Sequence, residues 1–399
     1  MRLFKFFATF LITAILIFGF VLGWNWKSFT VFLDNREALM EGNEWILNTS
    51  SLRGLSEFVG ENPEFSSIVS IVITEQDSTI IYQENRSRTM GTTANLFILL
   101  AYASEIDSGH FSGDERINWE DISQYQLISV DESVHQEAYR VAEQRGWIDQ
   151  NNTINLDDAL RLLAEYNDLA LSDYLWWQLD PEIWLSLPTE LNLSSTDMPL
   201  PFSGLYLAIT PQFQDRTMPD LIKFWSDQDH QDWRQFVIEK SEIYSTNPGQ
   251  REIISQYLDK NRLGITFMEE RDAMQLFPKT TALEITQFLD KLWNLEIINE
   301  QVSQQVLDYM RWPLDSQSGI DADFTDYGAL YDNRMGLMNG IDFGTSAYTG
   351  DTAVQAFFLD RLPIGFWFHA SGGLMHQDFM QRLIYDPALI NQMYLVISQ

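Results

Sequence analysis

Thr92 and Asn95 stand three residues apart in the stretch Arg88 to Gly109, where a polar turn opens a long apolar helix directly after two strand-like runs. The N–H groups of a helix's first turn have no partner inside the helix, so with the helix dipole they favour an oxyanion or a developing negative charge. A hydroxyl placed there, such as that of Thr92, occupies a natural seat for a nucleophile. Asn95 is a poor helper, because a side-chain amide does not titrate in water and cannot take the proton. Thr and Asn also serve as plain helix caps, which is the competing reading of the pair. Asn167 and Asp168 pose the same choice, in a polar break ahead of an apolar run from Leu169 to Leu179.

Such residues need a scaffold. Ser66 to Thr74 and Thr79 to Glu84, joined by the turn Glu75 to Ser78, predict a β-hairpin. Leu96, Leu99, Leu100 and Ala103 recur at helical spacing, and Gly109 supplies the usual C-terminal stop. Helices are expected at Ser133 to Arg145 and Ala159 to Glu165, with a helical, aromatic-rich pattern from Asp180 to about Gln275. Another helix opens with a capping box running from Thr281 to Glu284. After Pro313 the pattern turns β-rich again at Ile341 to Tyr348, Ala353 to Leu359 and Ile364 to His369, followed by a helix around Met375 to Tyr385. The economical way to pair these strands is an α+β fold, in which both chain ends build one antiparallel sheet and an all-α subdomain is inserted between them.

Phe6 to Trp24 is uncharged and mostly Phe, Leu and Ile. That is about the length that crosses a hydrocarbon core of ~30 Å at ~1.5 Å per residue. Arg2 and Lys5 precede it, which leaves the N-terminus in the cytoplasm and sends the rest outward. No small-x-small cleavage pattern follows, so an uncleaved anchor fits better than a signal peptide. The expected organisation is an anchor at 1–24, a juxtamembrane connector at 25–62 and a folded domain at 63–399. Within the domain, 63–115 and 314–399 form the α/β part and 116–313 the mainly helical part. The net charge of −32 repels nucleic acid and anionic headgroups. Cysteine is absent, which removes disulfides and thiolate metal sites, and the five histidines show no ligand spacing, so no cofactor is expected.

The order of elements resembles the serine β-lactamase and penicillin-binding superfamily, in its class A β-lactamase-like branch. The likeness runs from about Ser66 to Tyr385 and includes Ile106-Asp107-Ser108-Gly109, Ile154 to Leu163, Glu190-Leu191-Asn192-Leu193 with Thr196, and Thr280 to Glu284. The family's fingerprints are S-x-x-K opening the central helix, S-D-N in the helical subdomain and K-T-G on a late strand. The resemblance places Thr92 and Asn95 at the nucleophile and its lysine partner. It places Asn167, Asp168 and Leu169 at S-D-N, and Arg334, Met335 and Gly336 at K-T-G, with Gly340 following. Thr92 keeps a hydroxyl with an extra methyl, Asn95 cannot act as a base, and the shuttle hydroxyl is lost at Asn167. Arg334 preserves a cation able to pair with a carboxylate. Glu190 fits a helix end better than a deacylating base, and His369 to Gly373 lacks the G-x-S-x-G frame of a nucleophile turn.

Residues that work as one catalytic unit give most of the rate only jointly. The expectation is therefore a membrane-anchored, extracytoplasmic (periplasmic) protein with the β-lactamase architecture but without standard serine acyl transfer. Its partners would be the inner membrane and a peptidoglycan-type peptide or other carboxylate ligand, with a role in envelope binding or assembly. The alternative is an active β-lactamase, carboxypeptidase or esterase that uses Thr92 as nucleophile.

Overall fold

The computed structural model describes residues 31, 33–74, 79–214, 216–311 and 324–398. At its centre a five-stranded antiparallel sheet joins the two ends of the chain. Ser66–Val72 (β1) and Thr79–Tyr82 (β2) form the predicted hairpin, with Ile68 opposite Tyr82. Phe324–Asp332 (β3), Met338–Ser346 (β4) and Thr352–Leu359 (β5) complete it in the order β2-β1-β5-β4-β3. Gln355 of β5 lies opposite both Ser70 of β1 and Asp342 of β4, so the first and last parts of the chain share one ladder.

Both faces of the sheet are covered. Val354, Ala356 and Phe358 enter one core, Phe357 and Leu359 the other. A strand buried on both sides reads as a continuous apolar run, which is how T-A-V-Q-A-F-F-L shows itself in the sequence. The helices that matter for the site are Leu52–Glu61 (α1), Asn95–Asp107 (α2), Trp119–Ser123 (α3), Glu132–Gln144 (α4), Leu156–Tyr166 (α5) and Leu169–Gln178 (α6). Ala282–Trp293 (α7) packs on β1 and β5, and Glu300–Met310 (α8) on α2. From Asn95 to Ala103 every residue of α2 is buried, as expected of a helix apolar on all sides. Gly109 follows it at φ 77°, the left-handed stop predicted there.

Three expectations change. Ile364 to His369, read as a strand, is the helix Ile364–Gly372 (α9). It is enclosed by neighbours on several sides, so no helical period marks it, and at Gly365 a Cβ would lie 2.5 Å from the Leu39 carbonyl oxygen. Strand β3 is not marked in the sequence, because Thr325, Asp326 and Gly328 interrupt its apolar pattern. Residues 36–61, read as part of a connector, fold into the second core. There Phe58 is fully buried, with its ring 4.4 Å from that of Phe366, and α1 lies against the C-terminal helix Pro387–Ile397. The helix Met375–Tyr385 (α10) covers β4 and β5 as expected at that end. The proposed anchor at 1–24 and the turn 75–78 lie outside the described residues. Among the described residues no helix is long and apolar enough to cross a membrane.

Candidate active site

The chain enters α2 through one tight helical turn, Gly91–Ala94, which carries Thr92. The N–H of Thr92 donates to Asp332 Oδ2 at 2.9 Å, and Asp332 Oδ1 accepts from the N–H of Arg334 at 3.0 Å. Asp332 is the last residue of β3, so the sheet edge delivers a carboxyl to the start of the central helix. Gly91 makes this possible. Its φ is +55°, and a Cβ there would stand 1.6 Å from Asp332 Oδ2. Burial pushes the Asp332 carboxyl up from its ordinary range, against the pull of the Arg334 cation and the backbone N–H donors. The Thr92 hydroxyl is buried and meets no hydrogen-bond partner among the described residues.

Asn95, three residues on, is the first residue of α2 and is fully buried. Its Nδ2 donates to Asn167 Oδ1 at 3.2 Å, and its Oδ1 accepts from the Ser172 hydroxyl at 2.8 Å. Asn167 ends α5 in the left-handed conformation, φ 53°, and its Nδ2 donates to the Tyr331 carbonyl at 2.8 Å. The two asparagines thus tie α2, the α5–α6 turn and β3 together through neutral amides. Asp168 points elsewhere. Its Oδ1 caps α6 through the N–H of Ala170 at 2.9 Å, and its Oδ2 meets His135 Nδ1 at 2.7 Å. It is therefore grouped with α4 and not with Thr92, a correction to its place among the cleft residues.

Arg334, Met335 and Gly336 also depart from expectation. They lie in the connection 333–337 between β3 and β4, not on a strand, and the Leu337 N–H closes a turn onto the Arg334 carbonyl at 2.8 Å. Gly336 has φ +71°, and Met335 is buried in the second core. The Arg334 guanidinium donates to Asp131 Oδ1 at 2.8 Å and to the Asn167 carbonyl at 3.2 Å. Asp131 Oδ2 accepts from the Leu169 N–H at 2.7 Å. Burial pushes its carboxyl up to about 6, with Arg334 opposing. A second pair, Arg262 with Glu270 at 2.5 and 3.2 Å, lines the same cleft. The cleft encloses about 260 Å³ between Thr92, Asn167, Tyr206, Arg262, Asp332 and Arg334.

No family model matches the sequence, and no curated protein matches it. Solved structures do. A β-lactamase from Sphaerobacter thermophilus aligns with a TM-score of 0.50 at 10% identity, over 84% of this chain and 98% of that one. The fold is that of the serine β-lactamases and penicillin-binding proteins. A β-lactamase from Chitinophaga pinensis is similar at 12% identity and TM-score 0.46, over 84% of this chain and 99% of that one. The penicillin-binding protein PBP-A is similar at 12% identity and TM-score 0.46, over 84% and 95%. Identities of this size speak to the fold alone.

Within this β-lactamase fold, Thr92, Asn95, Asn167 and Arg334 do converge at one end of the central helix. Asp131, Asp332, Arg262 and Glu270, which surround them, carry no mark in the sequence that would single them out among 57 acidic and 25 basic residues. Acyl transfer needs a hydroxyl beside a base, and N–H donors free to receive the charge that develops on the attacked carbonyl. Among the described residues no base is hydrogen-bonded to the Thr92 hydroxyl, and the Thr92 N–H already holds a carboxyl oxygen. Among the described residues no histidine or acidic side chains are grouped so as to hold a metal ion.

Proposed function

We propose that this protein is a membrane-anchored, extracytoplasmic β-lactamase-fold protein that binds a cell-envelope ligand without cleaving it. The hydrogen bond from Thr92 N–H to Asp332 carries this reading. A negative or hydrogen-bond-accepting group at 2.9 Å from the helix N–H competes with any oxyanion that would form there, so it disfavours the transition state that an acyl-transfer site must stabilise. The amide of Asn95, engaged by Asn167 and Ser172, supports the reading further, since it offers neither a base nor a lone pair free to take a proton.

The ligand class that suits the cleft is a short peptidoglycan-type peptide ending in a carboxylate. Two guanidinium groups, Arg262 and Arg334, line the cleft with their side chains 27% and 17% exposed. Each has its own carboxylate partner, so a ligand carboxylate would share and not replace the pairing. The membrane anchor rests on the apolar run Phe6 to Trp24 behind Arg2 and Lys5.

Incubation of the protein with a fluorescent penicillin, followed by intact-mass measurement and peptide mapping, tests the loss of acyl transfer. No adduct on Thr92 is expected, and a stable adduct on Thr92 would overturn the reading. Binding is tested by titration with muropeptide fragments, where saturation weakened at least tenfold by Arg334→Ala is expected and its absence counts against a ligand role. An active hydrolase built on Thr92 predicts turnover of a chromogenic cephalosporin that vanishes in Thr92→Val.

A further inference from the structure

His135 and Asp168 belong to no part of the cleft, yet both are buried and joined at 2.7 Å. Asp168 Oδ1 is engaged by the N–H groups of Ala170 and Leu171 in the first turn of α6, which leaves Oδ2 to accept from His135 Nδ1–H. That hydrogen bond selects the imidazole tautomer with its lone pair on Nε2. Nε2 faces the hydroxyl of Ser123, 2.9 Å away at the end of α3. The Trp119 ring lies against the imidazole, with centroids 5.2 Å apart and 26° between planes, and holds it in this orientation. The Ser123 hydroxyl has a second acceptor, the Trp119 carbonyl at 3.0 Å. Rotation about its Cβ–Oγ bond moves the single hydrogen between the two.

Ser123 is half-buried and lines a cavity of about 530 Å³ that the cleft does not share. Ile128, Tyr244 and Pro248 give this cavity apolar surface, and Arg251 supplies a cation. The Arg251 guanidinium is held in place by the Ser245 carbonyl at 3.2 Å and Gln124 Oε1 at 3.3 Å. A hydroxyl, an imidazole and a carboxyl in this relation are recognised by geometry and role, not by sequence position.

We propose that Ser123, His135 and Asp168 form a second site, outside the cleft, that cleaves small carboxylic esters with an apolar acyl group. Ser123 Oγ attacks the acyl carbon as its proton passes to His135 Nε2. The carbon–oxygen bond to the leaving alcohol then breaks, and the alcohol takes that proton from His135. Water, deprotonated by the same imidazole, hydrolyses the acyl-serine, releasing the carboxylic acid and restoring the Ser123 hydroxyl. Arg251, which lines the same cavity alongside Glu120 and Glu252, is the cation available to the oxygen on which charge develops. Asp168 is a positioning residue, acting only through the imidazole. Burial disfavours the charged imidazole, but the hydrogen bond and charge of Asp168, with the charge of Asp131, outweigh it and hold the His135 pKa above its ordinary range.

The test uses the whole protein with a fluorophosphonate probe and 4-nitrophenyl butyrate, read by peptide mapping and by release of nitrophenol. A single phosphonate adduct on the peptide containing Ser123 is expected. Ser123→Ala is expected to abolish labelling and turnover. Asp168→Asn keeps a good N-cap for α6 but presents an amide to the imidazole, so it is expected to retain the melting temperature and label at least tenfold more slowly. The proposal is overturned if the native protein takes no adduct, if Ser123→Ala still labels, or if Asp168→Asn labels at the native rate. A label on Thr92 would sink the proposed silence of the cleft and leave this site to stand or fall on the Ser123 peptide.

Discussion

Thr92 lies in the cleft with Asn167, and Ser123 is joined through His135 to Asp168, the next residue of the same turn, yet the two hydroxyls are equipped in opposite ways. Thr92 has the helix start that a nucleophile wants, but its hydroxyl has no partner among the described residues and its N–H is bound to Asp332. Ser123 sits at the unfavourable end of a short helix, yet it has an imidazole at 2.9 Å backed by a carboxyl. A hydroxyl's position in the fold and the groups that surround it are therefore set separately. Architecture brings a hydroxyl to a place, while its reactivity is set by two or three neighbours that architecture leaves free to vary.

The contrast can be broken most sharply at the ion pair beside the cleft. Arg334→Ala leaves Asp131 buried and unpaired and should lower stability at pH 8 by about 4 kcal/mol in urea unfolding. Asp131→Asn in the same background should recover much of that, and failure to do so would mean that the loss does not come from an unpaired Asp131 carboxylate. Gly91→Ala comes next, at about 3 kcal/mol, because it combines a positive φ with displacement of Asp332. Gly109→Ala, at φ +77° with nothing within 4 Å, should cost only about 1 kcal/mol. Equal losses at the two glycines would mean that the Asp332 contact is not held.

Behind the cleft, Asp342 sharpens the picture of how this fold treats a buried acid. Burial pushes its carboxyl up to about 7. Among the described residues its Oδ1 and the Oε1 of its cross-strand neighbour Gln355 both lack a partner, and a proton on the acid gives it a hydrogen to donate. The folded protein keeps that proton at a pH where the unfolded chain has released it. The stabilisation from Asp342 is therefore complete below about pH 4 and is lost as pH rises to about 7, by at most about 1.4 kcal/mol per pH unit. Unfolding free energies measured across this window should differ in slope between wild type and Asp342→Asn by that amount, and parallel curves would count against the protonated acid. The smallest effects return to the two hydroxyls. Thr92→Val removes an unpartnered buried hydroxyl and should stabilise by up to about 1 kcal/mol, whereas Ser123→Ala removes a bonded one and should destabilise by about 1 kcal/mol. Melting curves that shift in the same direction would erase the distinction.

Much of the scaffold is legible in the sequence, and the exceptions are physical. Gly109, the hairpin strands and the wholly apolar start of α2 announce themselves because turn chemistry and burial pattern are written in contiguous residues. Thr281 caps α7 as expected, but Glu284 does not reach back to it. Its carboxylate takes the N–H groups of Ser194 and Ser195, at 2.6 and 3.0 Å, because the fold lays that loop beside it. Helix α9 reads as a strand because a short apolar segment enclosed on several sides shows neither period. The cleft is legible only in part. Thr92, Asn95, Asn167 and Arg334 do meet, but Asp168 turns away, and Asp332, which governs the Thr92 N–H, passed as one acid among many.

The amino-acid sequence by itself determined the hairpin, the wholly apolar central helix and its stop, and that both chain ends contribute strands, because each of these follows from the spacing of neighbouring side chains. Only the tertiary structure decided what each polar group faces. Thr92 and Asp332 are 240 positions apart, and His135 and Asp168 are 33, on separate helical elements. Such partners are chosen by the geometry of packing, and two charges or a hydroxyl and an imidazole leave no local trace in the chain of the distance at which they will meet.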